Sequence, residues 1–383
     1  MIYMYTFVCE EPMSKSTKRL SKNQILLRTA IALIVIVLAL FAIDRLAPYF
    51  EEQNEEPLEQ VDENTTRLAR FNYDGKNYIE NANITTLLLL GVDKDLDANA
   101  TLVGDYRNGG QSDFIMLIAI DNANKTVKRL QIDRDTVTQV PYLDVMGKDR
   151  GTREWYITLA HNFGKTPLDN NRNTVAAVKN LFQGAYETLY TEDSRNAQAL
   201  KKLIANPIRV DMCASLYMDG ISVFNDAIGG VTVVIEDDLE NTGLSYAIGE
   251  TVTLRGDEAE SYVRMRQNVG EGTNEERMKK RQRAYMASAL EQIMQKSRED
   301  AAFLNNLFDA LLNGNYLVSD FSVARLVNEL SPALDYEISP IEYIDGTYSR
   351  NIMAGKEYNQ FNPDANWLTQ WILNTYYIYY IVK

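Results

Sequence analysis

Three charged side chains lie where apolar segments begin or end, and their types suit phosphate chemistry. Asp93 follows one apolar run, Asp113 opens a second and Arg134 follows a third. Carboxylates can bind a hard divalent cation or accept a proton, and a guanidinium group binds phosphate oxygens through two parallel hydrogen bonds. These residues therefore favour phosphoryl transfer as a hypothesis. The alternative is that both aspartates form turns and that the arginine makes a surface ion pair.

A second group of cations lies between residues 264 and 283. It contains Arg264, Arg266, Arg277, Lys279, Lys280, Arg281 and Arg283, with Gln282 among them. On a helix, Arg277 and Arg281 lie on one face, one turn apart. Because the formal net charge of the chain is -14, we expect a local anion site here and no nucleic-acid surface. A solvated basic helix face is the alternative interpretation.

Histidine and cysteine are too scarce to support most other chemistries. His161 is the single histidine, so a serine or cysteine triad would have to use it, and a histidine-rich zinc site is excluded. The two cysteines are Cys9 and Cys213, which lie on opposite sides of an apolar span. We expect no disulfide between them and expect Cys213 to be a buried core residue.

Short apolar runs bounded by turn residues predict the strands that position these side chains. Strands are predicted over Thr85–Leu90, Asp113–Ile120, Val127–Ile132, Ile208–Tyr217 and Val231–Ile235. Helices are predicted over Thr174–Phe182, Gly220–Ala227, Asp257–Arg264, Asn274–Gln295, 301–313 and 320–331. Strands and helices alternate, which predicts an α/β or mixed α+β fold around a buried sheet.

The N-terminal region has the pattern of a membrane anchor. Ile25–Ile43 is apolar apart from Arg28, follows several lysines and arginines, and precedes an acidic segment. Its length and flanking charges predict a transmembrane helix with residues 1–24 in the cytoplasm and the main domain outside. Residues 44–80 are predicted to be an acidic, weakly ordered tether. A cleaved signal peptide or a buried core helix are the alternatives.

Six segments, taken in order, resemble the LytR-CpsA-Psr family of bacterial cell-envelope proteins. They are LLLLGVD (87–93), QSDFIMLIAID (111–121), IDRDT (132–136), MDGISVFNDAIGGVTV (218–233), GDEAESYVRMR (256–266) and NEERMKKRQR (274–283). The resemblance implies a three-layer α/β/α domain around a mixed central sheet over residues 81–300, with a groove for a polyprenyl chain. Residues 301–383 are predicted to be a helical extension packed on it.

The resemblance also implies an activity and its site. The activity is a magnesium-dependent phosphotransferase, with pyrophosphatase activity as a side reaction. It would move a glycopolymer, such as a teichoic acid or capsule precursor, from a polyprenyl-pyrophosphate carrier to peptidoglycan. Asp93 and Asp113 correspond to the metal-associated aspartates, and the catalytic set is completed by Arg134 and Arg264. The residues implied to contact the pyrophosphate are Arg134, Arg264, Arg266, Arg277, Arg281 and Gln282.

The chain departs from the family pattern at several positions, which leaves a second hypothesis open. Gln111 stands where an arginine is common, Asp133 where a proline is common, Asn274 where an acid is common and Tyr156 where a lysine is frequent. An extra lysine precedes Arg281, which would turn Arg281 and Gln282 by about 100° on an uninterrupted helix. The alternative hypothesis is therefore that the chain is a non-catalytic envelope protein that binds polyprenyl phosphate or has a regulatory role.

Overall fold

The computed structural model describes residues 69–93, 110–236, 239, 243–264 and, with gaps, 281–381. The predicted cytoplasmic tail, the predicted membrane span and most of the predicted tether lie outside these residues. So do Arg266, Arg277 and Gln282. Within the described ranges, no helix is long and apolar enough to cross a membrane.

Fifteen strands and six α-helices have defined bounds in these ranges. The strands are β1 (Arg70–Tyr73), β2 (Lys76–Glu80), β3 (Ile84–Val92), β4 (Ser112–Asp121), β5 (Thr126–Ile132), β6 (Val137–Leu143), β7 (Asp149–Tyr156), β8 (Met212–Tyr217), β9 (Val231–Val234), β10 (Thr251–Leu254), β11 (Leu317–Ser319), β12 (Glu337–Tyr343), β13 (Gly346–Met353), β14 (Lys356–Pro363) and β15 (Tyr377–Tyr380). The helices are α1 (Pro167–Leu189), α2 (Ala197–Ala205), α3 (Gly220–Ala227), α4 (Asp257–Arg264), α5 (Phe303–Asn313) and α6 (Ala365–Tyr376). A 3-10 helix spans Ile157–Asn162.

The central sheet has six strands in the order β11-β8-β3-β4-β5-β12. The pairs β3–β8 and β5–β12 are parallel, whereas β3–β4, β4–β5 and β8–β11 are antiparallel. The sheet is therefore mixed, and its two central strands are those that carry Asp113 and precede Asp93.

Both faces of this sheet are covered, which is why its strands are apolar at consecutive positions. Leu87 and Leu89 of β3 pack into one core, and Leu88 and Leu90 into the other, all four with no exposed surface. Helices α3, α4 and α5 cover the first face, and α1, α2 and α6 cover the second. The predicted three-layer α/β/α architecture with a mixed sheet is confirmed.

The predicted tether was wrong at its C-terminal end. Residues 70–80 form β1 and β2, which pair with each other, and β2 also pairs with the C-terminal strand β15. Phe71, Tyr73 and Tyr78 are buried in the second core, and Ile79 is also buried. Composition pointed to a weakly ordered segment because acidic and amide residues dominate it, but four apolar side chains are enough to hold a short strand pair onto a domain.

The predicted helical extension over 301–383 was also wrong for most of its length. Helix α5 matches the helix predicted over 301–313, but the rest contains five strands and only one further helix with defined bounds, α6. Strands β11 and β12 join the central sheet, one at each edge. Strand pairing between residues far apart in sequence leaves little local pattern, whereas tyrosine and isoleucine fit a pleated surface.

Two other elements differ in their bounds from the predictions. The helix predicted over Thr174–Phe182 is the middle of the longer α1, which begins after Thr166, whose side chain accepts a hydrogen bond from the Asp169 backbone. The strand predicted over Ile208–Tyr217 begins only at Met212. Helix α2 and the β6–β7 hairpin were not predicted.

Candidate functional site

The two aspartates lie at the same end of the central sheet. Asp93 follows β3, and its backbone N–H donates to the Gln111 carbonyl over 2.9 Å. Gly91 of β3 pairs with Phe114 of β4, but Val92 pairs with Ser112, so Asp113 is an extra residue in a β-bulge. A bulge redirects the side chain of its extra residue. Antiparallel pairing of β3 with β4 therefore brings the Asp93 and Asp113 segments side by side.

Gly110 allows this close approach. A Cβ atom at this position would lie 1.9 Å from the carbonyl oxygen of Asp93 and 3.0 Å from Cγ1 of Val92. The Gly110 carbonyl is also 3.2 Å from Nδ1 of His161. Glycine is therefore required by contact with neighbouring backbone, and His161 holds the segment from its other side.

Arg134 lies in a turn directly after β5, and its side chain points to the aspartate end of the sheet. Its guanidinium forms an ion pair with Asp113 and lies 3.6 Å from an Asp135 carboxylate oxygen. It also donates to Oε1 of Gln111 over 3.5 Å. The Arg134 side chain is 35% exposed and that of Asp113 24%, so solvent screens the pair and its contribution to stability is small. Both groups remain accessible to a ligand.

Thr158 is a site residue that the sequence analysis missed. It lies on the 3-10 helix, and its hydroxyl donates to Oδ1 of Asp113 over 3.4 Å. The hydroxyl of Ser112 donates to the Thr158 carbonyl, also over 3.4 Å. A threonine inside a short apolar segment carries no local signal of such a role, because only the return of the chain after β7 brings it to Asp113.

His161 and Cys213 are placed as structural residues. His161 is fully buried, lies 3.2 Å from Oδ1 of Asn171 and has a pKa lowered to about 4 by burial, so it is uncharged near neutral pH. Cys213 is 1% exposed in the core, and burial raises the pKa of its thiol well above the usual range. The placement of Cys213 agrees with the expectation of a core residue.

The basic cluster is described only in part. Arg264 is the last residue of α4, and the side-chain positions of Arg264, Arg266, Arg277 and Gln282 lie outside the described part of the structure. Arg281 is 2% exposed, and its Nε donates to the Tyr262 carbonyl over 3.0 Å. Carbonyl groups in the last turn of a helix lack partners within the helix. Arg281 therefore caps the helix that ends in Arg264.

We expect Arg281→Ala to lower the free energy of unfolding by about 2–4 kcal/mol, because it leaves a cavity and a buried carbonyl without its donor. Urea denaturation would measure the change. Arg172→Ala is the matched control, since Arg172 is 65% exposed and ion-paired only at the surface; we expect a change of less than about 0.5 kcal/mol there. Equal losses in both variants would contradict this role of Arg281.

Asp93 and Asp113 lie on adjacent segments at one end of the central sheet, and carboxylate oxygens are ligands that a hard cation prefers. In the part of the chain that the structure describes, no group of three or more His, Cys, Asp or Glu side chains could hold a metal ion. Magnesium commonly uses only one or two protein carboxylates and completes its six ligands with water and substrate phosphates. The oxygen donors here fit such a shared site.

Comparison with known proteins gives a consistent family assignment. The profile of the LytR_cpsA_psr family matches residues 49–365. A polyisoprenyl-teichoic acid–peptidoglycan teichoic acid transferase TagU of Halalkalibacterium halodurans is 26% identical over 217 residues, which are 57% of this chain and 54% of the relative. The TagU protein of Bacillus mycoides is 29% identical over 213 residues, 54% of each chain. The chain thus spans about half the length of these curated relatives.

Two solved structures from Bacillus subtilis match about three quarters of this chain at low identity. Bacillus subtilis TagV is 19% identical, with a TM-score of 0.46, and the match covers 75% of this chain and 93% of TagV. Bacillus subtilis TagU is 16% identical, with a TM-score of 0.43, and the match covers 75% of this chain and 93% of TagU.

Proposed function

Because the chain belongs to the LytR-CpsA-Psr family, we propose that it transfers a phosphate-linked glycopolymer from a polyprenyl-pyrophosphate carrier to peptidoglycan. The curated relatives are named as teichoic acid transferases that act on peptidoglycan. The observation that carries the proposal is the meeting of Asp93, Asp113 and Arg134 at one end of the central sheet.

The proposed reaction is a displacement at the phosphorus atom that carries the glycopolymer. A hydroxyl oxygen of the acceptor forms a bond to this phosphorus while the bridging oxygen of the pyrophosphate leaves with the polyprenyl monophosphate. The carboxylate of Asp93 or Asp113 accepts the hydroxyl proton. Arg134 neutralises the charge that builds up on the phosphate oxygens. Arg264 would act with it, and Arg266, Arg277 and Gln282 are proposed to bind the pyrophosphate. Arg281 is assigned a structural role instead, because it is 2% exposed and its Nε donates to the Tyr262 carbonyl.

We propose magnesium as the cofactor, held by Asp93 and Asp113. Bound there, the ion would supply positive charge to the pyrophosphate oxygens. Asp113 is paired with Arg134 and accepts a hydrogen bond from Thr158. Binding of a pyrophosphate would give Arg134 a new anionic partner, which frees the Asp113 carboxylate for the cation.

A membrane location completes the proposal. A polyprenyl carrier is confined to the bilayer, so a protein that uses it at the wall side gains from an anchor there. The apolar stretch Ile25–Ile43 is proposed to be this anchor, with the N-terminus in the cytoplasm.

The test is turnover of a polyprenyl-pyrophosphate-linked disaccharide by the full-length chain in detergent, with magnesium and a peptidoglycan acceptor. Mass spectrometry would follow release of polyprenyl monophosphate, and EDTA should stop it. We expect Asp113→Asn to lower the rate by at least about a hundredfold, because the metal ligand loses its charge. Asp309→Asn, an exposed position on α5, should leave the rate unchanged. Absence of monophosphate with the wild-type chain would overturn the proposed activity.

Gln111 favours one other candidate function. Its neutral amide oxygen accepts from Arg134 at a position where the family resemblance implies an arginine, so one positive charge that could bind phosphate is absent at this position. A protein that binds the lipid pyrophosphate without turning it over would fit this change. Saturable magnesium-dependent binding without product, under conditions in which a TagU relative is active, would favour it over transfer.

A further inference from the structure

The turn that carries Arg134 is held by its own first residue. The Thr136 backbone N–H donates to the Asp133 carbonyl over 3.1 Å, which closes a four-residue turn with Arg134 at its second position. Oδ1 of Asp133 accepts from the Asp135 backbone N–H over 2.8 Å. An aspartate at the first position of a turn stabilises it in this way. The orientation of the Asp133 carboxylate therefore affects the backbone position from which the Arg134 side chain extends.

The C-terminal hairpin β13–β14 fixes that carboxylate. The Tyr348 hydroxyl of β13 donates to Oδ2 of Asp133, leaving Oδ1 to the Asp135 amide. On the neighbouring strand, the Phe361 N–H donates to the Asp135 carbonyl over 2.9 Å, and Phe361 pairs with Thr136 in a parallel bridge. The hairpin thus contacts three of the four residues of the turn.

The hairpin itself is well anchored. Phe361 is 6% exposed and belongs to the second core, and the Tyr348 ring packs 5.1 Å from the Phe361 ring between centroids. Strands β13 and β14 pair over their full length from Gly346–Pro363 to Met353–Lys356. A hairpin more than 200 residues away in sequence therefore contacts the turn after β5.

We infer that Tyr348 is a positioning residue for Arg134, acting through the carboxylate of Asp133, so that the C-terminal hairpin is part of the phosphate site. The restraint on the turn thus comes from a hydrogen bond made by a distant hairpin. The inference rests on the proposed function for its effect on turnover, but the contact itself can be tested separately.

The first test is a double-mutant cycle on the full-length chain, with the lipid-pyrophosphate assay as readout. We expect Tyr348→Phe to lower kcat/KM by about tenfold, since a slightly misplaced catalytic group costs one to two orders of magnitude. In the Asp133→Ala background, Tyr348→Phe should have no further effect, because the group it acts through is gone. Asp133→Asn keeps an oxygen for the Asp135 amide and should lose less than Asp133→Ala.

Tyr343→Phe is the control for the loss of a tyrosine hydroxyl at an exposed position. Tyr343→Phe changes another exposed tyrosine, 57% exposed on β12, and should stay within twofold of wild type. An unchanged rate for Tyr348→Phe, an equal loss for Tyr343→Phe, or independent losses that multiply in the double variant would each overturn the inference.

The second test does not require activity. Hydrogen exchange followed by mass spectrometry should show faster exchange of the Asp135 and Thr136 amides in Tyr348→Phe than in wild type or Tyr343→Phe. Faster exchange together with an inactive wild-type chain would support the positioning contact and refute the proposed function. Unchanged exchange would overturn the positioning role whatever the activity.

Discussion

Arg134→Ala is expected to lower turnover of the lipid pyrophosphate by about a thousandfold, or ~4 kcal/mol in the activation free energy. Among the described residues, Arg134 is the cation that lies beside Asp113. Without it, the negative charge that develops on the phosphate oxygens would lose the two parallel hydrogen bonds that a guanidinium donates. The fold should be almost unaffected, because the Arg134–Asp113 pair is partly exposed and contributes little to stability. The measurements are kcat by release of polyprenyl monophosphate and the urea midpoint.

Arg134→Lys and Arg172→Ala are the comparisons that make this result interpretable. Lysine keeps the charge but not the planar fork, so we expect a loss between those of wild type and Arg134→Ala. Arg172→Ala removes a guanidinium that pairs with Asp169 on α1 and should leave kcat unchanged. A fall in kcat that is matched by loss of the folded state would argue against a direct role of Arg134.

Gly110→Ala is expected to lower the turnover rate to less than about one hundredth of wild type and to lower the free energy of unfolding by about 1–3 kcal/mol. The added methyl group would meet the Asp93 carbonyl oxygen at 1.9 Å, and a backbone atom cannot rotate away as a side chain can. The Asp93 and Gln111 backbones must then separate, which breaks their 2.9 Å hydrogen bond and moves both aspartates. Turnover and urea denaturation would report the two effects.

Gly184→Ala is the matched control, at a glycine where an added methyl group meets no neighbouring atom. A Cβ atom at Gly184, inside α1, would meet nothing within 4 Å, and alanine stabilises a helix relative to glycine by about 0.5–1 kcal/mol. We therefore expect unchanged turnover and equal or higher stability. If Gly110→Ala behaves like Gly184→Ala, the close packing of the two aspartate segments is not needed for the site.

The parts of the fold that could be predicted are those with a local signal. The predicted strands Thr85–Leu90 and Asp113–Ile120 are apolar at every position from Leu87 and from Phe114 onward, which is typical of strands buried on both faces, and both are strands of the central sheet. Alternation with helices predicted an α/β or mixed α+β fold around a buried sheet, and the family resemblance implied the three-layer arrangement. The predictions of a tether and of a helical extension were wrong because composition outweighed short patterns such as Tyr78 and Ile79, whose strand pairs with β15 at the far end of the chain.

The residue types at the candidate site followed from the sequence, but their contacts did not. The sequence alone determined that Asp93, Asp113 and Arg134 each border a buried strand, because strand ends follow from where apolar runs stop. The side-chain partners of these residues come from loops and hairpins that carry no such pattern. Thr158, Gly110 and Tyr348 are the examples: each is brought to the site by a long-range return of the chain.

The sequence by itself determined the apolar strands, the acidic chain with a local basic cluster, the shortage of histidine and cysteine, and the family. Only the tertiary structure decided that Arg134 pairs with Asp113, that Arg281 is buried and caps α4, and that a C-terminal hairpin holds the Arg134 turn. The physical reason is that hydrophobic periodicity is a local property of the chain. Hydrogen bonds and ion pairs between distant segments depend on the register in which the whole sheet is assembled.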